Sequence, residues 1–296
     1  MHCIGSGVQL WENLMEPDRG YLIIAQSKEE RRQASACAFS IKNTNPNAST
    51  SLAVSDLNAV EVEYEEAFDN IIELPYNAKN VARANDWQSW WITPYSETIV
   101  FDCACIVNTN LDTIWDYCEN SYDLVFPGTI KDFRHEVVTD DPRKQWYDKF
   151  KLTSVYTSWF YFKKNEAAMD YFKLADPYMQ NYIDLYHNKL EPQYVPDIFD
   201  SNLLHSMILQ DMAMLDCIDY NLSYMDMDLV SYRYKDKVQK WTDYLNVWSR
   251  ANGTVKLQNY ANTGILYYKE ADFLTDEIYN GQRNSYRLQT KVLRQV

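Results

Sequence analysis

Few side chains in this chain are placed to do chemistry, and the most informative lies in Glu97-Thr-Ile-Val-Phe-Asp-Cys-Ala-Cys-Ile-Val107, where a β-branched and aromatic run meets a lone acid, Asp102. Thr98 to Phe101 reads as a strand buried on both faces that ends at the carboxylate. Alternation along it would put Asp102, Ala104 and Ile106 on one face and Phe101, Cys103 and Cys105 on the other. In open α/β sheets ligands bind beyond the carboxyl ends of strands, so an acid there can meet a ligand; it can equally cap the following turn. Asp200, just ahead of Leu203 and Leu204, stands where a helix N-cap belongs. His135, His187 and His205 share no ligand spacing, which argues against a histidine metal site. No Ser-His-Asp arrangement can be argued from the order of residues.

These residues need elements to hold them. Gly20 to Ala25 is a short apolar strand, followed by the capping-box pattern Ser27-Lys-Glu-Glu30. Ala34, Cys37, Ala38 and Ile41 then recur at helical spacing until Asn43 and Pro46. With Ser51 to Val54 this makes a βαβ unit, whose sheet is expected to be parallel. Asp56 to Phe68 is acidic and partly helical, Asn70 to Pro75 a further strand, Ala82 to Trp91 a helix, Leu111 to Tyr117 a helical turn, and Tyr122 to Phe126 a strand. This alternation argues for an α/β class with a mostly parallel sheet flanked by helices. Pro127 to Lys151 gathers mixed charge and turn residues and reads as a mobile loop suited to a lid. Thr153 to Phe162 is strand-like; helices are expected over 165–188, interrupted near Pro177, and over 200–217. Tyr220 to Val247 shows no clear period, and a hairpin is expected around Asn262-Thr-Gly264.

The chain has 296 residues, enough for a sizeable core, and is rich in aromatics (24 Tyr, 9 Trp, 11 Phe) but has only 7 Gly. Neither a Gly-x-Gly-x-x-Gly nor a Gly-x-x-x-x-Gly-Lys loop is present, which argues against dinucleotide and ordinary P-loop sites. A net charge of −14 opposes attraction to nucleic acid or an anionic membrane. The basic run Arg283, Arg287, Lys291 and Arg294 is the local exception, and a solvated helical tail explains it. Six scattered cysteines, an N-terminus without a basic and apolar leader, and the lack of an 18-residue apolar run give the expectation of a cytoplasmic, non-membrane protein.

Taken in order, Gly20-Tyr-Leu-Ile-Ile-Ala-Gln26, Trp87 to Ala104 and Asn110-Leu-Asp-Thr-Ile-Trp-Asp116 resemble the GT-A glycosyltransferases, in particular the glycogenin-like and lipopolysaccharide-galactosyltransferase-like group and glycosyltransferase-like proteins of tailed phages. Val155 to Lys164, Asp200 and Tyr267 to Asp276 look like later motifs of that group. The resemblance runs from about Gly20 to Glu277. It implies a GT-A-like sheet with a helical, aromatic-rich C-terminal half: an N-terminal extension (1–19), one domain (20–277) with a nucleotide-sugar-binding half (20–130) and an acceptor half (131–277), and a basic tail (278–296).

The resemblance further implies sugar transfer from a nucleotide-sugar donor, UDP-linked in expectation, to an acceptor. It places Asp102 and Asp200 as catalytic acids; Ala25, Gln26, Trp87, Asp102, Ala104, Lys131 and Arg134 on the donor side; and Tyr156, Thr157 and Trp159 on the acceptor side. Gln26 can alternatively begin the helical cap, and Tyr156, Thr157 and Trp159 can simply fill core. The family's Asp-x-Asp and a late His hold a divalent cation, Mn²⁺ or Mg²⁺; here Ala104 and Tyr267 replace two of the three ligands. This departure from the family pattern gives the expectation of a metal-independent or metal-weak transferase, with Lys131, Arg134 and Arg143 neutralising the diphosphate and Asp102 contacting the ribose. Two rival readings are a catalytically silent GT-A relative working as a binding or assembly partner in a homo- or hetero-oligomer, and glycosylation of modified phage DNA.

Overall fold

The computed structural model describes residues 18–76, 81–139, 141, 144–190, 199–227, 245–258, 260–261 and 263–293. The first part alternates as expected: β1 (Arg19–Ile24), α1 (Lys28–Thr44), β2 (Thr50–Val54), α2 (Val62–Glu65), β3 (Asn70–Glu73), a 3₁₀ segment (Ala82–Gln88) running into α3 (Ser89–Ile92), and β4 (Glu97–Phe101). Next come β5 (Cys105–Val107), α4 (Asp112–Ser121), β6 (Leu124–Lys131), α5 (Lys144–Phe150), β7 (Trp159–Lys163), α6 (Glu166–Gln180), α7 (Tyr182–Lys189), α8 (Ser201–Asp211) and β8 (Ile218–Asp226). A small antiparallel sheet of β9 (Val247–Ser249), β10 (Val255–Leu257) and β11 (Tyr260–Ala261) precedes β12 (Ile265–Tyr267) and α9 (Asp276–Leu293).

The main sheet has the order β3-β2-β1-β4-β7-β6-β8-β12-β5. Five of its eight pairings are parallel, and β7 and β5 run against their neighbours. Strand alternation feeds two cores. Tyr21, Ile23, Ile99, Phe101, Trp159 and Tyr161 join α1 and α9 on one face; Leu22, Ile24, Val100, Phe160 and Phe162 join α6 and α8 on the other.

One covalent constraint shapes the sheet. β4 lies near its middle and β5 at its far edge, yet only residues 102–104 connect them. Four Cα steps reach at most about 14 Å, whereas five flat strand spacings would need about 24 Å. The β7-β6-β8-β12-β5 half therefore curls back around the Asp102 turn.

The structure departs from the sequence reading in several places. Strand geometry stops at Phe101: the Asp102 carboxylate accepts the Ala104 N–H (2.9 Å) and turns the chain, so alternation does not run through to Ile106. β6 continues through Pro127 and Gly128, where a loop was expected. Proline is tolerated because β7 pairs only with Leu124 and Val125, and a bulge separates Pro127 from Thr129 on the β8 side. Beyond it Phe133, Val138 and Tyr147 are buried, which anchors the described part of the expected lid. β7 begins only at Trp159, α6 passes through Pro177 to Gln180, and the stretch without a clear period opens with β8. Residues 228–244 and Asn262 lie outside the described residues; β10 pairs with β11, while β12 joins the main sheet. The expected tail is largely α9, which lies on α1 through Arg32–Asp276, Asn43–Gln282 and Phe39–Tyr286 contacts. Its Arg283 and Arg287 both pair with Glu66, so these cations already have an acidic partner.

At Gly20 a Cβ would overlap the buried Tyr95 ring, whose hydroxyl bonds Ser51 Oγ at 2.7 Å. Gly20→Ala is expected to destabilise the protein by roughly 1–3 kcal/mol or more through overpacking, measured as a lower denaturation midpoint; an unchanged midpoint would show that the ring can move aside freely.

Candidate active site

The Asp102 turn opens onto a cleft of about 340 Å³ lined by Glu30, Val81, Arg83, Asp102, Thr157, Ser158, Phe199, Asp200, Ser201, Asn202, Tyr224, Tyr267 and Lys269. Three parts of the chain converge there for local reasons. Antiparallel pairing of β4 with β7 sets Trp159 opposite Phe101, and the Asp102 N–H donates to Ser158 O at 2.8 Å. The preceding residue, Thr157, is clasped to the start of α8: its N–H and hydroxyl both reach Asn202 Oδ1 (2.9 and 2.8 Å), and its hydroxyl meets Ser201 Oγ at 2.8 Å. Asp200 caps α8, with Oδ1 accepting the Leu203 N–H at 3.1 Å, while its backbone is held by the Tyr186 hydroxyl. Pairing of β12 with β5 brings Tyr267 to the same rim, and Lys269 has no ion-pair partner among the described residues.

The electrostatic centre is Arg83, from the 3₁₀ segment. Its Nη2 stands 3.0 Å from Asp86 Oδ2, donates to Thr157 O and lies 3.3 Å from Ser201 Oγ; its Nε is 3.6 Å from Asp102 Oδ2. The contact with Asp86 is coulombic, since neither Asp86 oxygen accepts a hydrogen bond. Burial alone would lower the guanidinium pKa, but Asp86 and Asp102 raise it above its ordinary value, so the cation is secure. Burial pushes the Asp102 carboxyl above the usual range, against the pull of Arg83 and the Ala104 N–H. Below Asp86 the fully buried His205 places Nε2 3.7 Å from Asp86 Oδ2, with Nδ1 bonded to the Tyr171 hydroxyl. Burial holds His205 below the ordinary histidine pKa and Tyr171 well above the ordinary tyrosine pKa, so the ring is neutral near pH 7 and the phenol keeps its proton.

Of the residues singled out in the sequence, Asp102, Asp200, Thr157 and Tyr267 are brought together on this cleft. The capping readings of Asp102 and Asp200 hold as well, because each uses one carboxylate oxygen for its cap. The remaining residues are placed elsewhere. Ala25 and Ala104 are buried in the core, Trp87 packs between Tyr76 and Trp91, and Trp159 is fully buried. The Gln26 N–H donates to Glu30 Oε2 at 2.8 Å, as the start of a helical cap does. Tyr156 is buried with its hydroxyl on Asp141 (3.2 Å) and faces a separate cavity of about 390 Å³ beside Tyr220. Lys131 pairs with Met225 and Val137 in the sheet, and Arg134 is paired with Asp132 and Glu136 (3.1 and 2.8 Å); neither lines the cleft. Arg143 lies outside the described residues. Sequence reasoning passed over Arg83, Asp86 and Lys269. The available signal was that Lys79 and Arg83 are the only cations between residues 43 and 130, and that Asp86 follows Arg83 by three.

The three-ligand cation site implied by the resemblance does not fit these residues. Ala104 contributes only its N–H to Asp102, Tyr267 stands in the third place, and no group of three His, Cys, Asp or Glu side chains among the described residues could hold a metal ion. No helix among the described residues is long and apolar enough to cross a membrane.

No protein-family model matches the chain, and no curated protein matches it. Among solved structures it is similar to the galactosyltransferase LgtC in complex with donor and acceptor sugar analogs: 11% identity over 92% of this chain and 95% of that one, TM-score 0.49. It is also similar to the glycosyltransferase GlyE of Streptococcus pneumoniae (12% identity over 90% of this chain, TM-score 0.47) and to the bifunctional glycosyltransferase WbbM (8% over 92%, TM-score 0.49). This chain spans 60% of the GlyE chain and 50% of the WbbM chain.

A folded-state carboxyl pKa above the unfolded value means that the native protein holds the Asp102 proton more tightly. The stability this gives is fully present below about pH 3.9, the ordinary Asp value, and is lost as pH rises through the folded pKa. Asp102→Asn removes that loss and keeps an oxygen for the Ala104 N–H. Urea titrations are expected to show the variant at least as stable as wild type at pH 7, with any advantage gone at pH 3.5; a variant that loses stability only at pH 7 contradicts the assignment.

Proposed function

We propose that this chain is a GT-A glycosyltransferase that binds a nucleotide-sugar, UDP-linked in expectation, in the Asp102 cleft and transfers its sugar to an acceptor without a divalent cation. The observation that carries this reading is the convergence on one cleft of a strand-end carboxylate (Asp102), a helix-capping carboxylate (Asp200) and a buried, permanently charged guanidinium (Arg83). The motif resemblance supplies the reaction class.

In such a transfer the bond from the anomeric carbon to the diphosphate oxygen breaks, and a bond to an acceptor oxygen forms. The acceptor proton departs to a base, and the nucleoside diphosphate leaves with the bonding pair. Negative charge grows on the leaving oxygen, so a fixed cation in a partly dry cleft stabilises the transition state more than the ground state. Among the described residues Arg83 and Lys269 are the cations on this cleft, and they take that role here in place of the loop cations Lys131 and Arg134. Asp102 accepts a hydroxyl of the donor, and Asp200 faces the positive charge that develops at the anomeric carbon. Tyr224 and Tyr267, whose rings meet edge to face at 6.1 Å, offer an apolar wall for a sugar.

A second reading, a catalytically silent nucleotide-sugar binder, draws on the fact that Arg83 is already set between two carboxylates. Turnover of donor separates the two. Calorimetry with UDP- and GDP-sugars is expected to show binding that persists in EDTA, and Arg83→Gln is expected to weaken it roughly ten- to hundredfold, the worth of a hydrogen bond to a charged group. The absence of heat with every donor, or binding only when Mn²⁺ or Mg²⁺ is added, would overturn the proposal.

A further inference from the structure

Beneath the cleft lies a buried polar chain that the proposed transfer does not use directly: Tyr171, His205 and Asp86, ending on Arg83. Tyr171 and His205 are fully buried and Asp86 is 1% exposed, so none of the three can touch a ligand in the cleft. Burying an acid this deeply is costly unless something specific answers its charge. Among the described residues Arg83 Nη2 stands 3.0 Å from it and the neutral His205 Nε2 edge 3.7 Å, both as electrostatic contacts without a hydrogen bond.

The tautomer of the ring follows from its neighbours. The Asp86 carboxylate beside Nε2 favours the tautomer that carries its proton there, which leaves Nδ1 to accept from the Tyr171 hydroxyl. Phe126 and Phe160 pack on the ring at 5.1 and 5.8 Å between centroids, so it has little freedom to turn away. The ring edge therefore faces Asp86 across 3.7 Å as a dipole and not as a hydrogen bond, and the charge that Asp86 meets is the guanidinium.

Two carboxylates compete for that guanidinium. Asp86 has the closer approach, 3.0 Å against 3.6 Å for Asp102, and Asp102 is attached to a turn rather than a packed network. Without Asp86, coulombic attraction would draw Arg83 onto Asp102 as a closed pair, cancelling both charges toward the cleft. We infer that Asp86, steadied by His205, is a positioning residue that holds Arg83 off Asp102, so that the cation and the carboxylate both stay available to a ligand. This rests on the reading that the cleft receives the diphosphate of a nucleotide donor.

Asp86→Asn keeps the shape of the side chain and removes the competing charge. In calorimetric titrations UDP is expected to bind the variant roughly ten- to hundredfold more weakly, the worth of a charge-assisted contact. Uridine, which has no diphosphate for Arg83 to meet, is expected to bind as it does to wild type. His205→Gln, which retains a donor near Asp86 without the ring, is expected to shift UDP affinity in the same direction by less, and serves if Asp86→Asn fails to fold. In an Arg83→Gln background, Asp86→Asn is expected to change UDP affinity no further, since it acts only through Arg83.

Unchanged UDP affinity in a folded Asp86→Asn variant, or equal losses for UDP and uridine, overturns the positioning role while leaving the site reading intact. If wild type binds neither UDP nor GDP, the site reading itself falls and the inference with it.

Discussion

A carboxylate that is largely buried in a cleft wall needs a cation to answer it, and the Asp102–Arg83–Asp86 arrangement is how this protein meets that demand. The chain spends one arginine on two acids. Burial pushes the Asp102 carboxyl up, while Asp86 and Asp102 together keep Arg83 protonated against its own burial. Thr157 and Ser201 add hydrogen-bonding partners that tie the guanidinium to the segment leading into β7 and to α8, so the site and the packing of the sheet against its helices share the same atoms.

The curl of the sheet is the mechanical counterpart of that electrostatic centre. A three-residue connection from a middle strand to the far edge leaves the second half of the sheet no flat solution. Closing around residues 102–104 draws Tyr267 and Tyr224 to the rim and leaves a concave space above the turn rather than a filled core. The cleft is thus a consequence of chain connectivity before it is a consequence of side-chain choice.

A guanidinium is not a metal ion in another form. It is planar, spreads one charge over a fork of donors, and stays charged at any ordinary pH, whereas a divalent cation concentrates its charge and must be recruited from solution. Under the proposed reading, a site built on Arg83 trades peak field strength for permanence. It also depends on neighbours that keep the fork aimed, a need that a coordination sphere meets by itself.

The sequence by itself determined the local elements. Short apolar and β-branched runs gave β1, β2 and β4, the Ser27-to-Glu30 box gave the start of α1, and the break of apolar character at Asp102 gave the strand end, because each depends on backbone geometry within a few residues. The same local logic gave the caps at Asp102 and Asp200. It misplaced the end of β6 and passed over β8, where strand pairing supplied what propensity did not. Only the tertiary structure decided which cation faces Asp102. Arg134 lies in a charged loop that looked suitable but is answered by Asp132 and Glu136, while Arg83 sits in a 3₁₀ segment, read from the sequence only as the start of a helix, that long-range packing carries to the cleft. Electrostatic partnership is settled by separations of a few ångströms, and distance along the chain holds no record of them.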